Sequence, residues 1–88
     1  MRYKFLTAPS FLRQLKKLEH ALQDEVYEKL ELLKGRTNHK QLRVHALKGL
    51  YKGRYALSVN FRYRVIFKFG PAKDDISLLS VGDHDIYQ

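Results

Sequence analysis

Two histidines, His45 and His84, are the side chains of this chain best suited to proton transfer near neutral pH. An imidazole has an unperturbed pKa of about 6.5, so it can accept or donate a proton there. Asp83 and Asp85 flank His84, and nearby carboxylates favour its charged form, a good general acid. With His45 as base, the pair could divide the two roles that cleavage of RNA through its own 2′-hydroxyl requires. From these residues alone, a solvent-exposed His without a catalytic role is the simpler interpretation of His84. For His45, that interpretation and a catalytic role are equally good.

Arg64 is the side chain that we expect to bind a phosphate group. Its planar guanidinium can donate two parallel hydrogen bonds and keeps its charge, so it could stabilise negative charge that grows on phosphorus. An ordinary exposed cation on a strand is the alternative. Tyr87 could stack on a base. Further basic residues are expected to contact the nucleic-acid backbone: Lys48, Lys52, Arg54, Arg62 and Lys68.

The charges of the chain are strongly segregated. Residues 36–73 contain ten Lys or Arg and two His but no Asp or Glu, and the whole chain carries a net charge of +8. A surface of one sign repels itself, so folding alone would not select it, and a polyanion such as nucleic acid is the most economical partner. A basic surface kept for solubility is the alternative, but such surfaces normally mix both signs.

Length and composition limit the class of protein. The 88 residues have room for one domain and one modest core, and 44% apolar residues argue for a folded chain. Without Cys there can be no disulfide or thiolate metal site, and no spacing of His and Asp matches a metal site. We expect no metal and no cofactor. No apolar run is long enough to span a membrane, so we expect an intracellular, most simply cytoplasmic, protein.

Periodicity predicts the elements that position these residues. Residues 2–6 form a first strand, and apolar residues at helical spacing predict two helices in a hairpin. Thr7 or Ser10 is a possible helix cap, and Gly35 suits a left-handed helix end. Strands are predicted at residues 42–47, 55–61, 63–69 and 76–81, with a turn between Gly49 and Gly53.

These elements predict an α+β domain over residues 1–88, in the order β-α-α-β-β-β-β, with a largely antiparallel sheet packed on the helical hairpin. The helices would cover one sheet face. The other face would then be polar, carrying Arg54, Ser58, Arg64 and Lys68, and would form a cleft for a phosphodiester backbone.

Over nearly its whole length the chain resembles the RelE/ParE superfamily of toxins from type II toxin–antitoxin modules. The similarity lies in the Pro-Ser-Phe-Leu opening of the first helix, in Tyr63-Arg64-Val65-Ile66-Phe67, and in the ending Val81-Gly82-Asp83-His84-Asp85-Ile86-Tyr87. The RelE-like members are metal-independent ribonucleases that cut mRNA in the ribosomal A site. The resemblance therefore implies an endoribonuclease, or mRNA interferase, with mRNA, the ribosome and a cognate acidic antitoxin as partners.

The resemblance also implies a role for single residues. Arg64 matches the strand arginine that holds the scissile phosphate, His84 the general acid, and Tyr87 the terminal aromatic that orients the substrate. His45-Ala46-Leu47-Lys48-Gly49 resembles the YafQ-like branch, in which that His takes part in cleavage. Ala56 and Ser58 stand where RelE itself has lysines, so the general base is left unassigned.

Two other functions remain open at the level of sequence. ParE-like members share the fold but poison DNA gyrase, and they typically lack the acid–aromatic pair that His84 and Tyr87 form here. A noncatalytic basic RNA-binding module would explain the charge but not the terminal segment.

Overall fold

The computed structural model describes residues 2–35 and 40–83, and it confirms the predicted order of elements. In chain order they are β1 (Lys4–Thr7), α1 (Pro9–Lys16), α2 (His20–Lys34), β2 (His45–Ala46), a 3₁₀ turn (Gly49–Tyr51), β3 (Tyr55–Ser58), β4 (Tyr63–Phe69) and β5 (Asp75–Asp83). The five strands form one sheet in the order β1-β5-β4-β3-β2. β1 pairs with β5 in parallel, and all other pairs are antiparallel. The domain is α+β, as predicted.

The main core lies between the two helices and one face of the sheet. Apolar stripes on both helices pack there because residues three or four apart share one helix face. Each such side chain contributes roughly 1.5–3 kcal/mol when fully buried. The buried members are Phe11, Leu15, Val26, Leu30, Leu33, Leu42, Leu57, Val59, Val65, Phe67, Ile76, Leu78 and Val81.

The predicted helix ends were wrong in detail. Ala8, rather than Thr7 or Ser10, precedes α1, and it provides no side-chain cap. Ser10 Oγ instead donates to the carbonyl of Leu79, at 2.8 Å, and so ties α1 to β5. Gly35 ends α2 in an extended conformation, with φ −80°, because it forms a bridge with Arg2 rather than a left-handed turn.

β5 lies inside the sheet and changes its side-chain alternation at a bulge. Ile66 of β4 pairs with Ser80 and Phe67 pairs with Leu78, which leaves Leu79 unpaired. The extra residue lets Leu78 enter the main core while Leu79 packs on the opposite face. The apolar run in this strand is thus explained, because β5 has apolar contacts on both faces.

The sheet face away from the helices carries Ser58, Arg64 and Lys68, as predicted, but it is not wholly polar. Leu47, Ala56 and Ile66 are buried there as a second, smaller cluster, with Tyr51 and Leu79 packed against them. The 3₁₀ turn makes this possible, since Gly49 and Gly53 adopt positive φ values of 66° and 89° that other residues rarely take. Polar side chains on this face are therefore divided between its two ends.

Two predicted strands are shorter than expected. β2 covers two residues instead of 42–47, because Leu42 is drawn into the core and its carbonyl accepts a hydrogen bond from the Ser58 N–H, at 2.9 Å. β3 ends at Ser58 instead of residue 61. Phe61, expected on the core-facing side of a strand, is 91% exposed.

Candidate functional site

The turn between β3 and β4 is organised by the side chain of Asn60. Its Oδ1 accepts hydrogen bonds from the backbone N–H groups of Arg62 and Tyr63, both at 2.9 Å. Its Nδ2 donates to Glu25 Oε1 on α2, at 3.4 Å. An Asn side chain that captures backbone N–H groups replaces strand pairing with a turn, and this explains why β3 stops early.

Arg64 is anchored on that turn through half of its guanidinium. Nη1 donates to the carbonyl oxygens of Asn60, at 2.8 Å, and Tyr63, at 3.1 Å. The side chain is half-buried. A guanidinium has five N–H donors, so these two bonds leave Nε and Nη2 without a hydrogen-bond partner among the residues that the structure describes. The geometry suits Arg64 to hold an oxyanion with a preset orientation.

A groove of about 380 Å³ opens next to this guanidinium. Its wall contains three cations and no carboxylate, so its potential favours an anion. The lining residues come from α2, from the segment before β2 and from the β3–β4 turn, and they are Lys29, Gln41, Arg43, Ser58, Val59, Asn60, Phe61 and Arg64.

Of the three groove cations, Lys29 is 3.5 Å from Glu28, whereas Arg43 and Arg64 have no carboxylate partner among the described residues. Three ion pairs join described residues, and all of them use carboxylates of α2. One of these carboxylates is Glu31, whose pKa is lowered mainly by the hydrogen bond and charge of Lys34, and further by Arg2. In contrast, no Lys or Arg between residues 40 and 73 forms an ion pair with a described carboxylate. These cations are available to an external polyanion.

His45 lies on the same sheet face as Arg64, at the edge strand β2. It pairs with Ala56, while Ser58, two residues further along β3, pairs with Arg64. Two strand spacings and a two-residue offset put the Cα atoms of His45 and Arg64 roughly 12 Å apart. His45 Nδ1 lies 3.0 Å from the carbonyl of Arg43. A carbonyl oxygen only accepts, so this contact puts a proton on Nδ1, and the neutral form of such a ring has its lone pair at Nε2.

The other predicted contacts are spread over both ends of the sheet. Arg62 is exposed beside the groove, with its guanidinium 5.6 Å from the centre of the Tyr63 ring. Lys68 is four residues further along β4 than Arg64, roughly 13 Å away. The remaining three, Lys48, Lys52 and Arg54, are exposed on the connection from β2 to β3. Arg62 is close to Arg64 in the sequence but lines a different pocket, between the turn and the helical hairpin, and Lys68 is distant from Arg64 along β4.

His84 and Tyr87 lie outside the described residues. The last described residue of β5, Asp83, pairs with Tyr63, and Gly82 pairs with Arg64. β5 therefore ends beside the backbone of Arg64 in the sheet, and His84 is the next residue in the sequence.

Several residues of the groove were not predicted from the sequence. Lys29 comes from α2, and Arg43 and Gln41 come from the segment before β2. Asn60 was counted as a strand residue, although Asn between two apolar runs is itself a turn signal. That signal could have placed both Asn60 and Phe61 in the turn.

Two further properties bear on the kind of site. Among residues 2–35 and 40–83 there is no cluster of three or more His, Asp or Glu side chains placed to hold a metal ion. In the same part of the chain, no helix is both long enough and apolar enough to cross a membrane.

Comparisons with known proteins agree with this architecture at the level of fold. No family model and no curated protein matches the chain. The crystal structure of YafQ from Escherichia coli strain BL21(DE3) is similar at a TM-score of 0.79 and 13% identity, covering 98% of each chain. In the archaeal RelE–RelB complex from Pyrococcus horikoshii OT3, the matching chain has a TM-score of 0.75 and 20% identity, with 98% of this chain and 99% of that chain covered. A YoeB/ParE toxin from Agrobacterium tumefaciens has a TM-score of 0.70 and 11% identity, with 92% and 98% covered.

The class that follows is a small α+β protein with a groove lined by cations at one end of its sheet. More specifically, the chain has the RelE-like fold of toxins from toxin–antitoxin modules, the fold that the sequence resemblance implied.

Proposed function

We propose that this protein is the toxin of a type II toxin–antitoxin pair and a metal-independent endoribonuclease that cleaves mRNA on the ribosome. The observation that carries the proposal is the anchored guanidinium of Arg64 in a groove lined by cations, on a strand whose Arg64 pairs with Gly82 near the end of β5. A fold shared with toxins supports the biological role. Acting on translated mRNA would place the protein in the cytoplasm.

In the proposed reaction, the 2′-oxygen of a nucleotide attacks the adjacent phosphorus atom and the bond from phosphorus to the 5′-oxygen breaks. The products are a 2′,3′-cyclic phosphate and a 5′-hydroxyl. Arg64 stabilises the charge that develops on the phosphoryl oxygens, through its free Nε and Nη2 donors. His84, in its charged form, gives its proton to the leaving 5′-oxygen, while Tyr87 orients the substrate.

His45 is the best available candidate for the base that removes the 2′-proton. Its neutral ring presents Nε2 as an acceptor because Nδ1 is held by the carbonyl of Arg43. His45 shares a sheet face with Arg64, and both are long enough to reach one nucleotide placed between them. His45→Ala should therefore lower the cleavage rate by roughly 10²–10⁴-fold.

The same cations explain the partners in this proposal. Lys48, Lys52, Arg54, Arg62 and Lys68 are exposed and would bind the backbones of mRNA and ribosomal RNA. A small acidic antitoxin would neutralise this surface by charge complementarity, as toxin and antitoxin occur together in the DinJ–YafQ complex of E. coli.

Primer extension on cellular mRNA after induction of the protein tests the proposed activity. Cuts in phase with codons are expected, and His84→Ala should abolish them while leaving the thermal unfolding midpoint unchanged. Full cleavage by His84→Ala would remove the general acid from the mechanism.

The same experiment separates the two alternatives. The first alternative is a gyrase poison, which we consider because of the structural similarity to a YoeB/ParE toxin. It would give trapped gyrase–DNA breaks and no mRNA cuts. A noncatalytic RNA-binding module would bind RNA and cut nothing.

A further inference from the structure

Phe61 has no structural role that explains its position. Its side chain is 91% exposed, and in the described part of the chain its ring contacts no other aromatic ring and no cation. A single exposed apolar residue is common on protein surfaces. Phe61 differs from such a residue because it lines the groove that contains Arg64.

The backbone at Phe61 is held in place. It lies between Asn60 and Arg62, in a turn closed by the two hydrogen bonds to Asn60 Oδ1 and by the bond from the Val59 N–H to the Tyr63 carbonyl, at 3.0 Å. A residue whose backbone is already ordered loses less conformational freedom when it binds a ligand. The backbone of the turn therefore presents the Phe61 side chain from a fixed position at the groove.

The guanidinium of Arg64 is directly beside Phe61. Its Nη1 donates, at 2.8 Å, to the carbonyl of the peptide unit that links Asn60 to Phe61. Adding the three covalent bonds from that oxygen to the Phe61 Cα gives an upper limit of about 7 Å between Nη1 and this Cα. A phosphate bound by Arg64 and a ring at Phe61 thus lie within the span of one nucleotide.

We propose that Phe61 is the base-stacking residue of the groove: an unstacked base of single-stranded RNA lies on its ring while Arg64 holds the adjoining phosphate. This assignment rests on the proposed function, and it specifies the substrate as single-stranded RNA with a base free to leave its neighbours. Every base has a π-face, so stacking here would tolerate different sequences.

Binding of a 2′-O-methyl single-stranded oligonucleotide, measured by fluorescence anisotropy, tests the proposal without cleavage, because the 2′-nucleophile is blocked. Loss of one base–aromatic stack should weaken binding by roughly 5- to 150-fold in Phe61→Ala. Phe61→Leu should bind the oligonucleotide as weakly as Phe61→Ala, because leucine is apolar but has no π-face. Phe61→Trp should bind at least as well as the wild type. Leu50→Ala is the matched control, since Leu50 is 99% exposed but does not line the groove.

Salt dependence provides the second measurement. Each phosphate contact contributes a slope of about −0.7 to the plot of log K against log salt for single strands. Phe61→Ala should lower affinity at every salt concentration and leave this slope unchanged, whereas Arg43→Ala should make the slope shallower.

The outcomes distinguish this proposal from the function on which it rests. A wild-type protein that does not bind the oligonucleotide would overturn the stacking proposal, whereas the proposed cleavage on the ribosome is decided separately, by primer extension. If the wild type binds and Phe61→Ala binds equally well, the stacking role alone is overturned. Full affinity of Phe61→Leu for the oligonucleotide would also overturn the stacking role. The same holds if Phe61→Ala binds RNA normally but loses affinity for the antitoxin, because Phe61 would then be a protein-contact residue.

Discussion

Replacing Asn60 with Ala should destabilise the protein by removing the organiser of the β3–β4 turn. The side chain accepts hydrogen bonds from two backbone N–H groups, both at 2.9 Å, and donates one hydrogen bond to Glu25, at 3.4 Å. Ala can make none of these bonds. In this variant the Arg62 N–H can form a hydrogen bond with water because this residue is exposed. Tyr63 is half-buried, so water can replace the lost bond of its N–H only in part.

The expected cost follows from these contacts. A neutral hydrogen bond contributes about 1 kcal/mol net, and the longer bond to Glu25 adds little, so the free energy of unfolding should fall by about 2 kcal/mol. For a domain of this size, 1 kcal/mol corresponds to a shift of roughly 4–8 °C in the unfolding midpoint. The midpoint of Asn60→Ala should therefore fall by roughly 8–16 °C.

Thermal unfolding followed by circular dichroism, with urea denaturation in parallel, measures this change. Asn60→Asp is the matched control. Its carboxylate can still accept both N–H groups, but it would face the carboxylate of Glu25, so an intermediate loss is expected. A midpoint for Asn60→Ala equal to that of the wild type would refute the role of Asn60 in holding the turn and, with it, the preset position of Arg64.

Three further predictions follow from burial and charge. Leu57→Ala should lower the free energy of unfolding by about 2–5 kcal/mol because Leu57 is fully buried. Leu50→Ala, at a 99% exposed position, should change it by less than about 0.5 kcal/mol. Equal effects of the two substitutions in urea denaturation would contradict the assigned burial. Lys52→Ala should weaken RNA binding and reduce its salt slope by about 0.7 if Lys52 contacts one phosphate, and an unchanged slope would exclude that contact. The pKa of Glu31 is lower in the folded protein than its reference value of 4.5, so the stabilisation by its carboxylate is present above pH 4.5 and is lost as pH falls through the folded pKa. Glu31→Gln should therefore flatten the plot of unfolding free energy against pH below pH 4.5. Identical plots for the variant and the wild type would exclude this effect.

The order of elements was predictable because it depends on local patterns. Helical spacing predicted an apolar stripe on each helix; the structure buries Phe11, Leu15, Val26 and Leu30, but Leu12 of the first stripe is 42% exposed. Gly49 and Gly53 were also correctly placed around a turn. Side-chain periodicity and glycine conformations act over a few residues, so they can be recognised in the chain itself.

The composition of the second sheet face was not predictable in the same way. Strict alternation assigned it polar residues, but the bulge at Leu79 brings an apolar side chain there, and Ala56 and Ile66 complete a small cluster. A bulge depends on how two strands align, and a shift of one residue moves a side chain to the other face.

For the candidate site, the sequence by itself determined the charge: a segment with ten Lys or Arg and no carboxylate must form a cationic surface wherever it folds. It also indicated Arg64 as the residue to bind phosphate. Only the tertiary structure decided which residues join it, bringing Lys29 from α2, Arg43 from before β2 and Phe61 from the turn to the same groove. The physical reason is that charge follows from composition, whereas proximity depends on strand register and helix packing between residues far apart in the chain.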